Sequence, residues 1–193
     1  MATQVKSPPS MQEAIRLVGG LSYSDACKLW CSNNMGSECP LQYSQSQIIA
    51  CAGENNQKTR HFWRLVPVPS LSMTELEQQG HLDLGSMRQI PRASVKPLAR
   101  VLLVDFKLEH TNEHWAYQSK SLIARGRARA NEFGVILGLM YFNGMFAENQ
   151  FHWGTIAPDS QSRMAIGKQN SKVVIAAFDV NQGYEGVGVC REL

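Results

Sequence analysis

The sequence lacks most of the features that name a function. No stretch reads G-x-x-x-x-G-K-[ST] and none reads G-x-G-x-x-G, which counts against an enzyme built around a nucleotide-phosphate loop. Tyr184-Glu185-Gly186-Val187-Gly188 is glycine-rich, yet it follows a strand-like segment with no helix to lend its amides to an anion. Long apolar runs are missing too. Phe133–Phe142 is the longest at ten residues, broken only by glycines. A bilayer-crossing helix takes roughly twenty, so this run is expected in the core and no membrane is expected as a partner.

Charge is also sparse. Asp, Glu, Lys and Arg make up 18% of the chain, against a usual share of about 25%. A surface rich in Ser, Asn, Gln and Gly is therefore expected. The five cysteines are odd in number and include no C-x2-C knuckle. Residues 1–9 (MATQVKSPP) have no apolar stretch of the export-signal kind. Both points disfavour a disulfide framework and lead to the expectation of reduced thiols in an intracellular protein, cytoplasmic or nuclear.

What is present is a chain of 193 residues, 44% of them hydrophobic, enough to bury one sizeable core. Residues 1–9 read as a flexible lead and 10–193 as a single globular domain. Residues 1–90 carry seven basic and seven acidic side chains, whereas 91–193 carry twelve and nine, so the formal +3 belongs to the second half.

Hydrophobic spacing divides the chain the same way. Ser10 with Glu13 opens a capped helix, and a second is expected over Ser24–Asn33. Gln47–Ala52 is apolar but of uncertain type. His61–Val68 is rich in strand formers, with Pro67 restricting it to an edge or a strand end. Ser72 and Glu75 form another capping box. Beyond residue 97, Leu98–Leu108, Gln150–Ile156 and Lys172–Val180 read as strands, and Val187–Cys190 as an added edge strand. Part of 109–132 reads as helix. Phe133–Phe142 fits a buried strand or a buried helix equally well. Helices first and strands later predict an α+β fold: a helical N-terminal half (10–90) packed on a largely antiparallel sheet from 91–193. A jelly-roll-like sandwich in the C-terminal half is the alternative.

Four groups of residues invite chemistry. The first is the basic segment 92–129, holding Arg92, Lys96, Arg100, Lys107, Lys120, Arg125, Arg127 and Arg129 against Asp105, Glu109 and Glu113. Arg125, Arg127 and Arg129 alternate with small residues, so an extended backbone would put all three guanidinium groups on one face. Arginine suits bidentate phosphate contact, and Trp115 and Tyr117 lie close enough in sequence to stack on unpaired bases. The plainer reading is a solvated face, with Arg125 or Arg129 paired to an acid.

The second is His110-Thr111-Asn112-Glu113-His114, which has the H-x-x-E-H form. On a helix, His110 and His114 would share a face and could bind zinc, with Glu113 as general base and Glu148, His152, Glu185 or Cys190 as a third ligand. The plainer reading is a polar loop. The third is Cys27, Cys31, Cys39 and Cys51, whose spacing permits a structural metal but fits buried small hydrophobes better. The fourth is Asp105-Phe106-Lys107. This D-x-K could belong to a magnesium-dependent nuclease if a neighbouring strand brought Asp179, or the weaker Asp83, alongside Asp105.

These patterns favour a non-enzymatic nucleic-acid-binding or assembly protein. Its ligand would be RNA or another single strand, held by Lys120, Arg125, Arg127, Arg129 and Trp115, with no cofactor. Such a profile would suit a protein of a virus or mobile element. A metal-dependent hydrolase using zinc at His110 and His114, or Asp105 and Lys107, is the second reading. A structural module that self-associates as a homo-oligomer is the third.

Overall fold

The computed structural model describes residues 43–55, 60–80, 82–98, 100–109, 113–125, 128–142, 149–153, 160–182 and 187–193. The helices expected at 10–18 and 24–33 lie outside these, as do Cys27, Cys31, Cys39, His110, Arg127, Glu148 and Glu185.

The order begins with helix α1 (Gln45–Glu54), strand β1 (Trp63–Val68), helix α2 (Met73–Gln78) and the short strand β2 (Leu82–Asp83). Two 3₁₀ turns (Gly85–Gln89 and Pro91–Ser94) lead to β3 (Arg100–Glu109). Then come α3 (Trp115–Ala124), β4 (Ala128–Arg129), α4 (Glu132–Tyr141), β5 (Phe151–Trp153), β6 (Ser162–Gln169), β7 (Lys172–Asp179) and β8 (Val187–Glu192). The fold is α+β. The strands follow one hydrogen-bonded path, β1-β3-β8-β5-β6-β7-β2, with β4 branching onto β8. Most pairings are antiparallel, but β5 with β8 and β2 with β7 run parallel.

Local chemistry explains several of these elements. Ser44 caps α1 and Ser72 caps α2, each in a reciprocal box with Gln47 and Glu75 respectively. That settles Gln47–Ala52 as helix. β1 takes an end of the strand path, where Pro67 removes no ladder bond from a central strand. Asn170 and Ser171 both adopt positive φ (51° and 63°) in the two-residue turn between β6 and β7, the geometry a twisted hairpin requires.

Phe133–Phe142 resolves as helix α4. Asn131 caps it by accepting from the Phe133 amide, and Glu132 sits in its first turn beside the positive end of the dipole. Gly134 and Gly138, one turn apart, give it a flat side. A Cβ on Gly138 would lie 2.0 Å from Phe106 Cζ, and one on Gly134 would lie 2.9 Å from Leu102 Cδ1. Those glycines let the helix axis settle close on β3. α4 touches β1, β3, β6 and β7, so strands from both ends of the path curve round it. A helix, rather than a second sheet, covers this face, which departs from the jelly-roll alternative.

Both faces of β1 and β3 are buried, which is why they read as continuous apolar runs. Val66, Val68, Leu102, Val104 and Phe106 pack in the main core with α4, while Trp63, Leu65, Val101 and Leu103 pack with Ile48 and Cys51 of α1. β8 corrects an expectation: it lies inside the path, between β3 and β5. Gly188 within it disguises an interior strand as a loosened edge. Among the described residues no helix is long and apolar enough to cross a membrane.

Candidate functional site

Helix α3 and strand β4 bring together part of the basic segment. Trp115, Ser119, Leu122 and Ile123 are spaced four, three and one apart, so they share one side of α3. With Arg129 of β4, Arg163 of β6 and Arg92 of the second 3₁₀ turn, they line a cavity of about 500 Å³. Its three arginines come from segments far apart in the chain. None of the described residues that line it is acidic.

Trp115 organises this site. Its ring, half-buried, packs against the Phe151, Trp153 and Ala165 cluster on the sheet. The Arg129 guanidinium carbon lies 4.6 Å from its ring centroid and that of Arg163 lies 4.8 Å away. Both contacts are cation–π interactions. Trp115 therefore aligns arginines, where the sequence had suggested a free stacking platform.

Arg129 is held further by bonds from Nη2 to the Trp115 carbonyl and to Ser119 Oγ. Its buried Nη1 has no hydrogen-bond partner among the described residues. Burial pulls its pKa down from 12.5 to about 10; Glu132 raises it and Arg163 lowers it further. At neutral pH it still carries its charge. The pocket thus holds a desolvated cation with an unused donor beside a second cation that repels it. Entry of an anion would relieve both conditions.

The remaining basic candidates are placed differently. Arg125 caps the C-terminus of α3, where its Nη1 donates to Glu109 Oε2 at 3.0 Å and its Nη2 to Ser121 Oγ at 3.2 Å. It is about half exposed and follows the plainer, ion-paired reading. Lys120 is exposed on α3, one turn before Ile123 at the rim. Arg125 and Arg129 do not lie on one extended run, since the first ends a helix and the second is in β4. Arg163 and Ser119 were not visible as site residues in the sequence. Arg163 sits near the start of β6 between Ser162 and Met164, outside the basic segment, and only the fold carries it to Trp115.

The metal candidates find a different setting. Glu113 and His114 precede α3, and His114 is its N-cap with extended backbone (φ −62°, ψ 143°). No helix therefore runs through that pair to align a zinc-binding face. Cys51 lies in the apolar cluster with Ile48 and Trp63. Among the described residues, no group of three or more His, Cys, Asp or Glu is placed to hold a metal ion.

Asp105 is fully buried and already accepts three bonds: from His61 Nδ1 at 2.7 Å, the Phe62 amide at 2.8 Å and the Lys107 amide at 3.1 Å. A divalent ion would have to displace those donors. Asp179 is on β7, with β8, β5 and β6 between it and Asp105, so adjacent strands do not pair these carboxylates. Asp83 accepts from the Gly85 amide in an exposed turn. His152 and Cys190, the other possible ligands, form a buried pair joined Nδ1 to Sγ. Burial lowers the His152 pKa to about 4 and raises that of Cys190 well above its ordinary value. Both are neutral at pH 7, so the thiol is no activated nucleophile there.

Protein-family models, curated proteins and solved structures were each compared with the chain, and none of them matches it. The site therefore has to be interpreted from its own chemistry.

Proposed function

We propose that this chain is a non-enzymatic, intracellular nucleic-acid-binding protein that holds single-stranded RNA or DNA by its phosphates in the Arg92–Arg129–Arg163 pocket. The observation that carries this reading is the Arg129 guanidinium, buried, charged and left with an unused Nη1 donor in a cavity whose described lining has no acid. Phosphate oxygens suit such donors, and Leu122 and Ile123 offer an apolar wall to a sugar or base. A concave cavity favours a flexible strand, whose backbone can bend into it, over the continuous surface of a duplex. Contacts of this type position a strand without reading its bases, so sequence preference is weak.

The test is a salt series with labelled single-stranded RNA and DNA, comparing the native chain with an Arg92/Arg129/Arg163→Gln triple. The three arginines converge on one cavity and meet one phosphate of the strand, which contributes about 0.7 to the slope of log K against log salt, so the triple flattens that slope by about that much. The absence of binding at low salt, or an unchanged slope in the triple, refutes the reading.

A further inference from the structure

We infer that the pocket selects a terminal phosphate, the phosphomonoester at one end of a strand, over the phosphodiesters along it. This rests on the nucleic-acid reading above and narrows it to a ligand class. An internal phosphodiester has one negative charge and two free oxygens. A phosphomonoester has about −1.5 to −2 charges at neutral pH and three strong acceptor oxygens. Three guanidinium groups line one cavity and no acid is among its described lining residues; Glu132, outside that lining, offsets part of the charge on Arg129. That balance suits the dianion better than the monoanion.

The donor arrangement leads the same way. Arg129 uses Nη2 for Trp115 and Ser119, which fixes the group at the cavity wall, with its buried Nη1 unpartnered among the described residues. Arg163 lies over Trp115 and donates one hydrogen bond, from Nη1 to the carbonyl of its own neighbour Ser162, so it too has donors to offer. Arg92 is exposed on its 3₁₀ turn at the cavity edge and can close on a third oxygen. All three cations converge on one volume instead of spreading along a track. A strand running through would meet them with one phosphate while its neighbours fell outside. A strand end can enter phosphate first, with its terminal nucleoside against Leu122 and Ile123. Both Arg129 and Arg163 lie over Trp115, so cations occupy the ring and it is not a free platform for a base.

The experiment measures binding of one short single-stranded sequence in four forms: 5′-phosphorylated, 3′-phosphorylated, phosphorylated at neither end, and as the free nucleoside monophosphate in competition. A phosphorylated end is expected to bind about tenfold tighter than the unphosphorylated strand, and the two arms identify which end. Arg163→Met is expected to reduce that ratio below about twofold, since it removes one of three charge-assisted contacts. Arg92→Met, at an exposed position that cannot disturb the core, lowers the same ratio and guards against misfolding of the first variant. Equal binding of phosphorylated and unphosphorylated strands overturns the terminal-phosphate inference while leaving nucleic-acid binding intact. Failure of every strand to bind overturns both.

Discussion

Arg129→Met separates a ligand-binding role for Arg129 from a structural one. A buried arginine that braces a fold is costly to remove. Arg129 is different, because burial lowers its pKa from 12.5 to about 10. That depression corresponds to about 3 kcal/mol disfavouring the charged form in the folded protein. Against it stand two hydrogen bonds from Nη2 and one cation–π contact with Trp115. Together these contribute about 3 kcal/mol in the opposite direction. Methionine keeps an apolar stem of similar length and discards both sides of the balance. It strands no acceptor, since Ser119 Oγ already donates to the Trp115 carbonyl at 2.9 Å.

The expected change in stability is therefore within about 1 kcal/mol of zero, or a Tm shift within about 4 °C for a chain of this size. Affinity for single-stranded RNA falls at least about tenfold with the loss of a charge-assisted contact. Thermal unfolding, with and without RNA, reads both quantities. Native protein gains Tm on adding RNA, and the variant loses most of that gain. A fall in Tm beyond about 8 °C would show that Arg129 is a structural brace. Unchanged RNA affinity would show that its free donor serves no ligand.

Other outcomes follow from the same contacts. Arg125→Ala weakens strand binding less than Arg163→Ala in the same titration, because Arg125 is committed to Glu109; the reverse order would return the site to the basic segment as read linearly. His152 is neutral when folded, with a pKa lowered to about 4 from 6.5. The unfolded chain therefore takes up its proton first, and about 3 kcal/mol of stability, full above pH 6.5, is lost as pH falls toward 4. Urea unfolding across that window should show the slope, and His152→Gln should remove it; an identical slope in the variant sinks this assignment. Gly138→Ala forces a Cβ to within 2.0 Å of Phe106 Cζ. With Phe106 wedged between Phe62 and Phe142, the expected cost is about 3 kcal/mol, seen as a Tm lower by about 10 °C. Gly53→Ala, with nothing within 4 Å of the new Cβ, should hold or raise Tm.

The parts of the fold visible in the sequence were those governed by neighbours in the chain. The Ser72–Glu75 box, the edge position of the proline-bearing strand and the long apolar strand at residue 100 all depend on local chemistry. Two ambiguous segments had local signals that hydrophobic periodicity passes over. One was Ser44 with Gln47, three residues apart. The other was Asn131 followed by glycines one turn apart. β8 was misplaced because centrality is a property of partners, and its partners are β3, β4 and β5, remote in sequence.

The candidate site divides along the same line, and the division bears on how it works. Trp115 and Arg129 were legible because they sit fourteen residues apart in a basic stretch. Arg163 was not, because it belongs to a different strand and reaches Trp115 only once β6 is folded against it. Arg125 shows the opposite error: a promising position in sequence, satisfied in space by Glu109 of β3. Charge density along a chain therefore measures binding capacity poorly. The relevant quantity is charge left uncompensated after folding. By that measure the site is the small set of cations around one tryptophan. Because Arg92, Arg129 and Arg163 are assembled by tertiary structure, the proposed strand binding should be lost cooperatively with the fold. Strand binding and tertiary structure should disappear together on heating or in urea. Binding that outlasts the unfolding of α3 and β6 would mean that a disordered basic segment, and not the pocket, carries the affinity.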